Sequence, residues 1–249
     1  MARPAGRGRR VLCCGVPSPL DYPFEVATTP FVVRADGVSA GGEAAPGRDT
    51  VAIVASGSNA SPARLLEKLG GHLDGRAIGG GPCVVDGWTS VYSAHFTAYG
   101  ALPATLDRDP GARAELVCLH LPATLLSVLH RSEALGRNYG FYRLDGGVVR
   151  NATGGVVETP HAYLSLHGVL RLDGGPRRLA AFAVDGSVHP AASERTVMAS
   201  VCHLLDPELG LDEFVARLVE DGAFRAAKTA ELRSRHARPL DLRGLRRAE

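Results

Sequence analysis

The segment VAIVASGSNASPARLLEKL, residues 51–69, carries the clearest structural signal in this sequence. Residues 51–55 form a short apolar run, which is typical of a buried β-strand, and residues 56–59, Ser-Gly-Ser-Asn, are typical of a tight turn. Ser61 followed by Pro62 then predicts the start of a helix with leucines along one side. The segment therefore predicts a strand, a glycine-containing turn and a helix in direct succession.

The rest of the sequence predicts strands in the middle of the chain and helices towards its end. The predicted strands are 88–96, 102–106, 114–121, 139–144, 148–150, 162–172 and 179–184, with a glycine-rich bend at 79–82 and a turn at 107–111. The predicted helices are 122–135, 194–205 and 211–236, followed by a loose basic tail. Because few helices separate the strands, the sequence predicts an α+β fold with a mixed, barrel-like sheet and flanking helices.

The same pattern suggests three regions. Residues 1–50 are predicted to be an N-terminal extension that is partly loop, with a flexible Gly/Ala/Pro-rich stretch at 40–49. Residues 51–190 form the main domain, and residues 191–249 form a helical C-terminal extension with a basic tail.

Charge and composition exclude some classes of protein. The 249 residues include 28 basic and 26 acidic side chains, which gives a formal net charge of +2 and makes a nucleic-acid binder unlikely on charge alone. No apolar run reaches the roughly 18 residues that a membrane helix needs, so we expect no membrane partner. Nearly all the positive charge is arginine, since Lys68 and Lys228 are the only lysines.

The cysteines and histidines predict no metal site. The five cysteines are odd in number and lack paired ligand spacing, which favours reduced, mostly buried thiols in a cytoplasmic protein. The nine histidines include no metal-ligand motif. A nucleophilic pair of Cys83 or Cys118 with His95 or His120 stays open as an alternative.

Glu133 is the first candidate for chemistry. It follows Leu126 and Leu129 at i+7 and i+4, so its carboxylate lies on the helix stripe that otherwise faces the core. A carboxylate there loses water, which disfavours its charged form and suits a general base. The alternative is a salt bridge with Arg137, four residues on, at the solvent edge of the helix.

The turn at residues 56–59 is the second candidate. Glycine lets the backbone approach a ligand closely, and successive N–H groups leading into a helix can hold an anion or an oxyanion. The alternative is an ordinary strand-to-helix turn. The turn lacks the lysine of a P-loop and the G-x-S-x-G frame of a hydrolase.

Taken in order, these segments resemble the gamma-glutamylcyclotransferase-like family, as a divergent, bacterial-type member. The family pattern is a strand ending in Y-G-S-N with a short helix, an A-T-L segment with a Pro-Gly turn, and a helix ending in L-D-x-x-E-G before a Tyr-containing strand. The corresponding stretches here are residues 54–65, residues 103–111 with Ala-Thr-Leu and Asp-Pro-Gly, and residues 129–134, followed by Tyr139 and Tyr142. The resemblance covers roughly residues 50 to 165.

The resemblance implies an activity. In that family the α-amine of a γ-glutamyl substrate attacks its own γ-carbonyl, releasing 5-oxoproline and an amine or peptide, without a metal or cofactor. It implies that Glu133 is the catalytic base and that the backbone of the turn holds the substrate carboxylate or the oxyanion. The substrate-binding residues implied are Ser56, Gly57, Ser58, Asn59, Tyr139 and Tyr142.

This sequence departs from the family pattern at two positions. Ser56 replaces the family's tyrosine, and His130 replaces the aspartate of L-D-x-x-E. These changes keep a second function open, namely a non-catalytic small-molecule binding or interaction module on the same fold. The two extensions are expected to cap the pocket or to form the surface of a homodimer.

Overall fold

The computed structural model describes residues 18–41, 49–144 and 148–248. The helices are α1 (Pro62–Leu69), α2 (Leu126–Ser132), α3 (Glu194–Leu205), α4 (Leu211–Glu220) and α5 (Gly222–His236). The first strands are β1 (Phe31–Arg34), β2 (Gly37–Ala40), β3 (Thr50–Ala55), β4 (Ile78–Tyr92), β5 (Ala104–Pro122), β6 (Tyr139–Arg143) and β7 (Val149–Asn151). The remaining strands are β8 (His161–Ser165), β9 (Val169–Leu170), β10 (Arg178–Leu179), β11 (Val184–Asp185), β12 (Ala191–Ala192), β13 (Ala237–Arg238) and β14 (Arg246–Arg247).

A mixed sheet with flanking helices forms the centre of the fold, as the sequence predicts. Its main strand order is β12-β10-β4-β5-β3-β8-β6-β14, with β1, β7 and β11 paired to its long strands. Most neighbours are antiparallel, whereas β3 and β8, and also β10 and β12, run parallel. Because β3 lies between β5 and β8, the turn that follows it emerges from the middle of the sheet.

The two longest strands correct the sequence prediction. Residues 79–82 are part of β4 instead of a bend, because β1 pairs alongside them. A Cβ on Gly80 would lie 2.6 Å from the Phe31 ring, so glycine here makes room for a neighbouring side chain. Residues 107–111 likewise lie within β5, where the pairing register with β4 shifts between Asp86 and Trp88.

Of the two helices next to the predicted site, α2 is shorter than expected. Helix α1 begins at Pro62, as predicted, but the side chain of Ser61 makes no capping hydrogen bond. Helix α2 covers Leu126–Ser132 instead of 122–135, because β5 continues to Pro122 and a 3₁₀ turn follows it. Glu133 is therefore the residue that ends α2.

The C-terminal region confirms one helix and corrects the rest. Helix α3 has the predicted bounds, and the Ser193 side chain accepts a hydrogen bond from the Thr196 N–H at 3.2 Å. The predicted helix 211–236 is divided by Asp221, whose side chain caps α5. The tail is not loose, because β13 pairs with β9 and β14 pairs with β6.

Parts of the predicted N-terminal extension lie outside the described residues, including most of the predicted flexible stretch 40–49. Within the described part, β1 pairs with β4 and so joins the central sheet. The division into three regions stays a prediction. In the described part of the chain, no helix is both long enough and apolar enough to cross a bilayer.

Candidate active site

A cavity of about 680 Å³ lies between the turn that follows β3, the end of α2 and one face of α5. Its walls also include residues 95–99, which follow β4, and the loop that leads from α2 to β6. The cavity brings together six of the seven residues that the sequence predicts for the site, and these are Ser56, Gly57, Ser58, Asn59, Tyr139 and Glu133.

The turn presents free backbone donors to this cavity. The Ser56 carbonyl accepts a 2.6 Å hydrogen bond from the Ser90 hydroxyl, which holds the start of the turn against β4. A 3₁₀ turn, Ser58–Ala60, follows Gly57. Within the described residues, no acceptor is recorded for the N–H groups of Gly57, Ser58 and Asn59. Such orphan donors at the start of a helical turn are suited to an anion or an oxyanion.

Position 57 requires glycine because the Tyr22 side chain lies directly against the backbone there. A Cβ added at this position would lie 2.1 Å from the Tyr22 hydroxyl oxygen and 3.1 Å from the Ala104 Cβ. The same hydroxyl accepts a hydrogen bond from the Ala104 N–H at 2.8 Å. Tyr22 therefore places an aromatic ring and a hydroxyl beside the turn, where Ser56 provides no ring.

Glu133 is held by two partners from the opposite wall. Its Oε1 atom accepts hydrogen bonds from Asn59 Nδ2 at 3.2 Å and from Lys68 Nζ at 3.0 Å. Lys68 also donates to Asn59 Oδ1 at 2.8 Å and to Ser58 Oγ at 3.3 Å. Both ion-pair side chains are mostly buried, with 17% of Lys68 and 13% of Glu133 exposed. The alternative salt bridge with Arg137 is not formed, because the recorded cationic partner of Glu133 is Lys68.

Four tyrosines line the cavity, namely Tyr22, Tyr99, Tyr139 and Tyr163. Burial raises the pKa of Tyr139 well above its ordinary value, and the charges of Glu133 and Tyr99 raise it further. Burial and the Glu133 charge raise the pKa of Tyr99 to about 12. The Tyr99 and Tyr139 hydroxyls therefore stay protonated at neutral pH, and that of Tyr139 donates a hydrogen bond to the Ala104 carbonyl at 3.0 Å.

Two stacked histidines form another part of the wall. The rings of His95 and His167 lie 4.3 Å apart. His95 Nδ1 pairs with Ser93 Oγ at 2.8 Å, and His167 Nε2 pairs with Asn138 Oδ1 at 3.2 Å. Burial lowers the pKa of both histidines, so both are neutral at pH 7.

Three solved structures show distant similarity to this chain. An uncharacterized protein from Homo sapiens matches with 12% identity and a TM-score of 0.39, over 79% of this chain and 93% of its own. A gamma-glutamyl cyclotransferase matches with 12% identity and a TM-score of 0.38, over 78% and 92%. A gamma-glutamyl cyclotransferase specific to glutathione from yeast matches with 12% identity and a TM-score of 0.32, over 74% and 98%.

No protein-family model matches the sequence, and no curated protein matches it. The similarities in structure are too distant to transfer an activity to this chain. Its function therefore has to be argued from the chemistry of the cavity.

Tyr142 does not reach the cavity, which corrects the seventh predicted site residue. Tyr139 and Tyr142 are three residues apart on β6, so their side chains leave opposite faces of the strand. The ring of Tyr142 instead lies over Gly140, where an added Cβ would be 2.5 Å from its Cε2 atom.

The second departure from the family pattern, His130, supports the cavity wall. Its Nδ1 pairs with the Tyr163 hydroxyl at 2.8 Å, and burial lowers its pKa. The position is therefore neutral at pH 7, and its hydrogen bond holds a cavity tyrosine in place.

The proposed thiol site is not assembled. Cys83 and Cys118 are buried in the sheet, and neither lines the cavity. Burial raises the pKa of Cys118 to about 12, which disfavours the thiolate that a nucleophile needs. Among the described residues, no group of three or more His, Cys, Asp or Glu side chains is placed to hold a metal ion.

Sequence reasoning missed Lys68, Tyr22 and the stacking of His95 on His167, since it named His95 only as a possible partner of a cysteine. Lys68 had one available signal, because it is one of two lysines in a chain whose other basic residues are arginines. Lysine and arginine differ in hydrogen-bond geometry, so an isolated lysine beside the predicted turn was a candidate for a specific role. Tyr22 and the histidines gave no local signal.

Proposed function

We propose that the protein is a gamma-glutamylcyclotransferase-like enzyme that converts a γ-glutamyl amide into 5-oxoproline and a free amine. The observation that carries the proposal is the meeting of Glu133 with the unpaired N–H groups of residues 57–59 in one cavity. A γ-glutamyl group has an α-amine, an α-carboxylate and a γ-carbonyl. Glu133 can take a proton from the amine, and the N–H groups of residues 57–59 can bind the carboxylate or the oxyanion that forms at the γ-carbonyl.

Glu133 is the proposed catalytic base. The recorded hydrogen bonds from Asn59 and Lys68 go to its Oε1 atom, and within the described residues no partner is recorded for Oε2. The Oε2 atom is thus available to accept a proton from the substrate ammonium. Lys68 and Asn59 hold the carboxylate in a fixed orientation while it does so, which preserves the geometry that proton transfer needs.

The reaction then follows from these positions. Once Glu133 has taken a proton, the neutral α-amine attacks the γ-carbonyl, and the new C–N bond closes a five-membered ring. The oxygen of the tetrahedral intermediate becomes negative and is stabilised by N–H donors of the turn. As the intermediate collapses, the bond to the leaving nitrogen breaks, and Glu133 returns the proton to that nitrogen. Of the other two ammonium protons, one stays on the ring nitrogen of 5-oxoproline and one is released to solvent, from which the freed amine takes up a proton.

The magnitudes are adequate for an enzyme. A positioned general base contributes about 10²- to 10⁴-fold, and an oxyanion donor contributes about 10²- to 10³-fold. Holding the amine and carbonyl of one molecule at attack distance lowers the barrier further. The mechanism uses only groups of the chain itself, so it requires no metal or cofactor. Because the three cysteines in the described part of the chain are free thiols, our proposal places the enzyme in the cytoplasm.

A second candidate function has one observation in its favour. The ion pair between Glu133 and Lys68 already balances the charge of the carboxylate. A cavity with such a pair can bind a zwitterionic small molecule without turning it over, which describes a non-catalytic binding module. The two functions differ in whether product forms.

The test is release of 5-oxoproline from a panel of γ-glutamyl amides and peptides, measured by mass spectrometry. Glu133→Gln is compared with the wild type and with Glu208→Gln, an exposed glutamate that does not line the cavity. We expect product from the wild type and the control, and a loss of at least about 100-fold in Glu133→Gln. Equal product from all three would remove Glu133 as the base. No product from any, with binding retained, would favour the binding module.

A further inference from the structure

His95 is a nearly buried histidine with one ring nitrogen open to the cavity. Only 2% of its surface is exposed, and its ring stacks on that of His167 at a centroid distance of 4.3 Å. Its Nε2 atom has no recorded partner among the described residues and is not fully buried. Since His95 lines the cavity, this atom faces the space that a ligand would fill.

A chain of hydrogen bonds ends on the other ring nitrogen of His95. The backbone N–H of His167 donates to Ser165 Oγ at 3.0 Å. Ser165 Oγ lies 2.6 Å from Ser93 Oγ, which in turn lies 2.8 Å from His95 Nδ1. Both serines are buried, and neither hydroxyl has an acceptor outside this chain among the described residues. Each hydroxyl proton therefore has to be used within the chain.

The direction of the chain follows from the number of protons in it. A backbone N–H can only donate, so Ser165 Oγ accepts from His167. If Ser165 then donates to Ser93, and Ser93 donates to His95 Nδ1, every proton has an acceptor. If Nδ1 carries the proton instead, one buried hydroxyl proton is left without an acceptor, which is costly. The chain thus selects the tautomer of His95 that has its proton on Nε2.

The charge state of His95 agrees with a role as a donor. Burial lowers the pKa of His95 well below its ordinary value of 6.5, and the charge of His167 lowers it further, so the ring is neutral at pH 7. A neutral imidazole that is protonated on Nε2 presents one N–H, and such a group can polarise a carbonyl oxygen. Because stacking and the Ser93 hydroxyl hold the ring in place, it needs little rearrangement to do so.

Contacts through Tyr139 place His95 beside the turn at residues 57–59. The rings of His95 and Tyr139 meet edge to face, with their centroids 5.6 Å apart. The Tyr139 hydroxyl donates to the Ala104 carbonyl at 3.0 Å. The Ala104 Cβ in turn lies 3.1 Å from the position that a Cβ on Gly57 would take. His95 and the turn are therefore separated by one aromatic side chain, so a single ligand can contact both.

We propose that His95 donates its Nε2–H to the γ-carbonyl oxygen of the substrate, as a side-chain donor that acts together with the backbone donors of the turn. The inference rests on the proposed function and adds a catalytic residue to it. As the α-amine attacks, the π electrons of the carbonyl move to this oxygen, and its negative charge strengthens the hydrogen bond from His95. No proton leaves His95 in this step. Ser93 is a positioning residue, because it determines which ring nitrogen carries the proton.

The tautomer is tested first, on the protein without ligand. Long-range ¹⁵N–¹H correlation spectra at pH 7 report which ring nitrogen of a histidine carries the proton, and the signals missing in His95→Phe belong to His95. We expect a protonated Nε2 and an unprotonated Nδ1 in the wild type, and a mixture of tautomers in Ser93→Ala. A proton on Nδ1 in the wild type would overturn the inference.

The catalytic role is tested by the release of 5-oxoproline from γ-glutamyl-alanine. His95→Phe keeps an aromatic ring but removes the N–H, so kcat should fall by about 10²- to 10³-fold while KM changes by less than about threefold. His95→Gln keeps an N–H donor and should recover part of this loss. His161→Phe is the matched control, because His161 stacks on Phe141 but does not line the cavity. A loss in His95→Phe no larger than in His161→Phe would overturn the inference.

Failure of the proposed function would give a different result. If the wild type releases no 5-oxoproline, the contact is judged from the Nε2–H proton signal of His95 with γ-glutamyl-alanine or norvaline added in excess. Norvaline has the same α-amine and α-carboxylate but no γ-carbonyl. A downfield shift with γ-glutamyl-alanine alone would still support the hydrogen bond. An unchanged signal, or an equal shift with both compounds, would reject it.

Discussion

Replacing Gly57 with alanine should disturb both the stability and the activity of the protein. The added methyl group would lie 2.1 Å from the Tyr22 hydroxyl oxygen, far inside van der Waals contact. Tyr22 is buried, with 5% of its surface exposed, so its ring has little room to move aside. Any shift also weakens the 2.8 Å hydrogen bond from the Ala104 N–H to the same hydroxyl.

The cost can be worked from these two contacts. Overpacking by one methyl group costs about 1–3 kcal/mol. Leaving the buried Ala104 N–H without its acceptor costs about 1–3 kcal/mol. Tyr22 can relieve the steric overlap only by moving away from the Ala104 N–H and losing that hydrogen bond. We therefore expect a destabilisation of about 3 kcal/mol, the upper end of either cost alone. For a domain of this size that corresponds to a Tm lower by roughly 6–12 °C.

A double-mutant cycle in urea denaturation tests the assignment to Tyr22. Tyr22→Phe removes the hydroxyl oxygen, and the nearest remaining atoms to the added methyl are the Ala104 Cβ at 3.1 Å and the Tyr22 Cζ at 3.2 Å. Gly57→Ala should then cost only about 1 kcal/mol in the Tyr22→Phe background, a coupling of about 2 kcal/mol. If Gly57→Ala lowers the free energy of unfolding equally in the wild-type and Tyr22→Phe backgrounds, contact with the Tyr22 hydroxyl is not the reason that position 57 requires glycine.

Three further predictions follow from the site and the buried core. Lys68→Met should lower kcat/KM for 5-oxoproline release by about 10- to 100-fold, because a charged hydrogen bond to Glu133 is lost, and Lys68→Arg should restore part of it. Burial raises the pKa of Glu194 well above its ordinary value of 4.5. The contribution of the protonated side chain to the folding stability of the protein is therefore fully present below about pH 4.5, and it is lost as the pH rises through the higher pKa of the folded state. Glu194→Gln should therefore be more stable than the wild type at pH 8, with the difference vanishing near pH 4 in urea denaturation. Substituting both Cys83 and Cys118 with alanine should leave the release rate within about twofold, since neither thiol lines the cavity. A rate that falls to background would restore the thiol mechanism.

The sequence predicted correctly those helices and strands that depend on patterns within a few neighbouring residues. The strand before the turn at 56–59, helix α1 and helix α3 all lie where capping residues and apolar spacing place them. The fold class was likewise predictable, because it depends on the proportion and order of such elements. These features do not depend on distant contacts.

The wrong predictions have a common cause in long-range pairing. Residues 79–82, Gly-Gly-Gly-Pro, are typical of a bend, but β1 pairs with this segment and keeps it extended. Residues 107–111, which are typical of a turn, lie within β5, where the pairing between β4 and β5 shifts in register. Tertiary pairing overrode the local preference in both cases.

The candidate site shows the same division. Glu133 was suggested by its spacing from Leu126 and Leu129, although α2 ends at Ser132, and the turn was suggested by its glycine. Lys68 is 65 residues from Glu133 in sequence, so no local spacing connects them.

The most direct test of the proposed chemistry is a crystal structure of the Glu133→Gln variant with γ-glutamyl-alanine bound. The account predicts the substrate α-amine nitrogen about 2.6–3.2 Å from the side-chain oxygen at position 133. It also predicts the γ-carbonyl oxygen or the α-carboxylate about 2.7–3.1 Å from a backbone nitrogen of residues 57–59. A ligand bound with its amine turned away from position 133, and with no group at the turn, would contradict the assignment of base and oxyanion site.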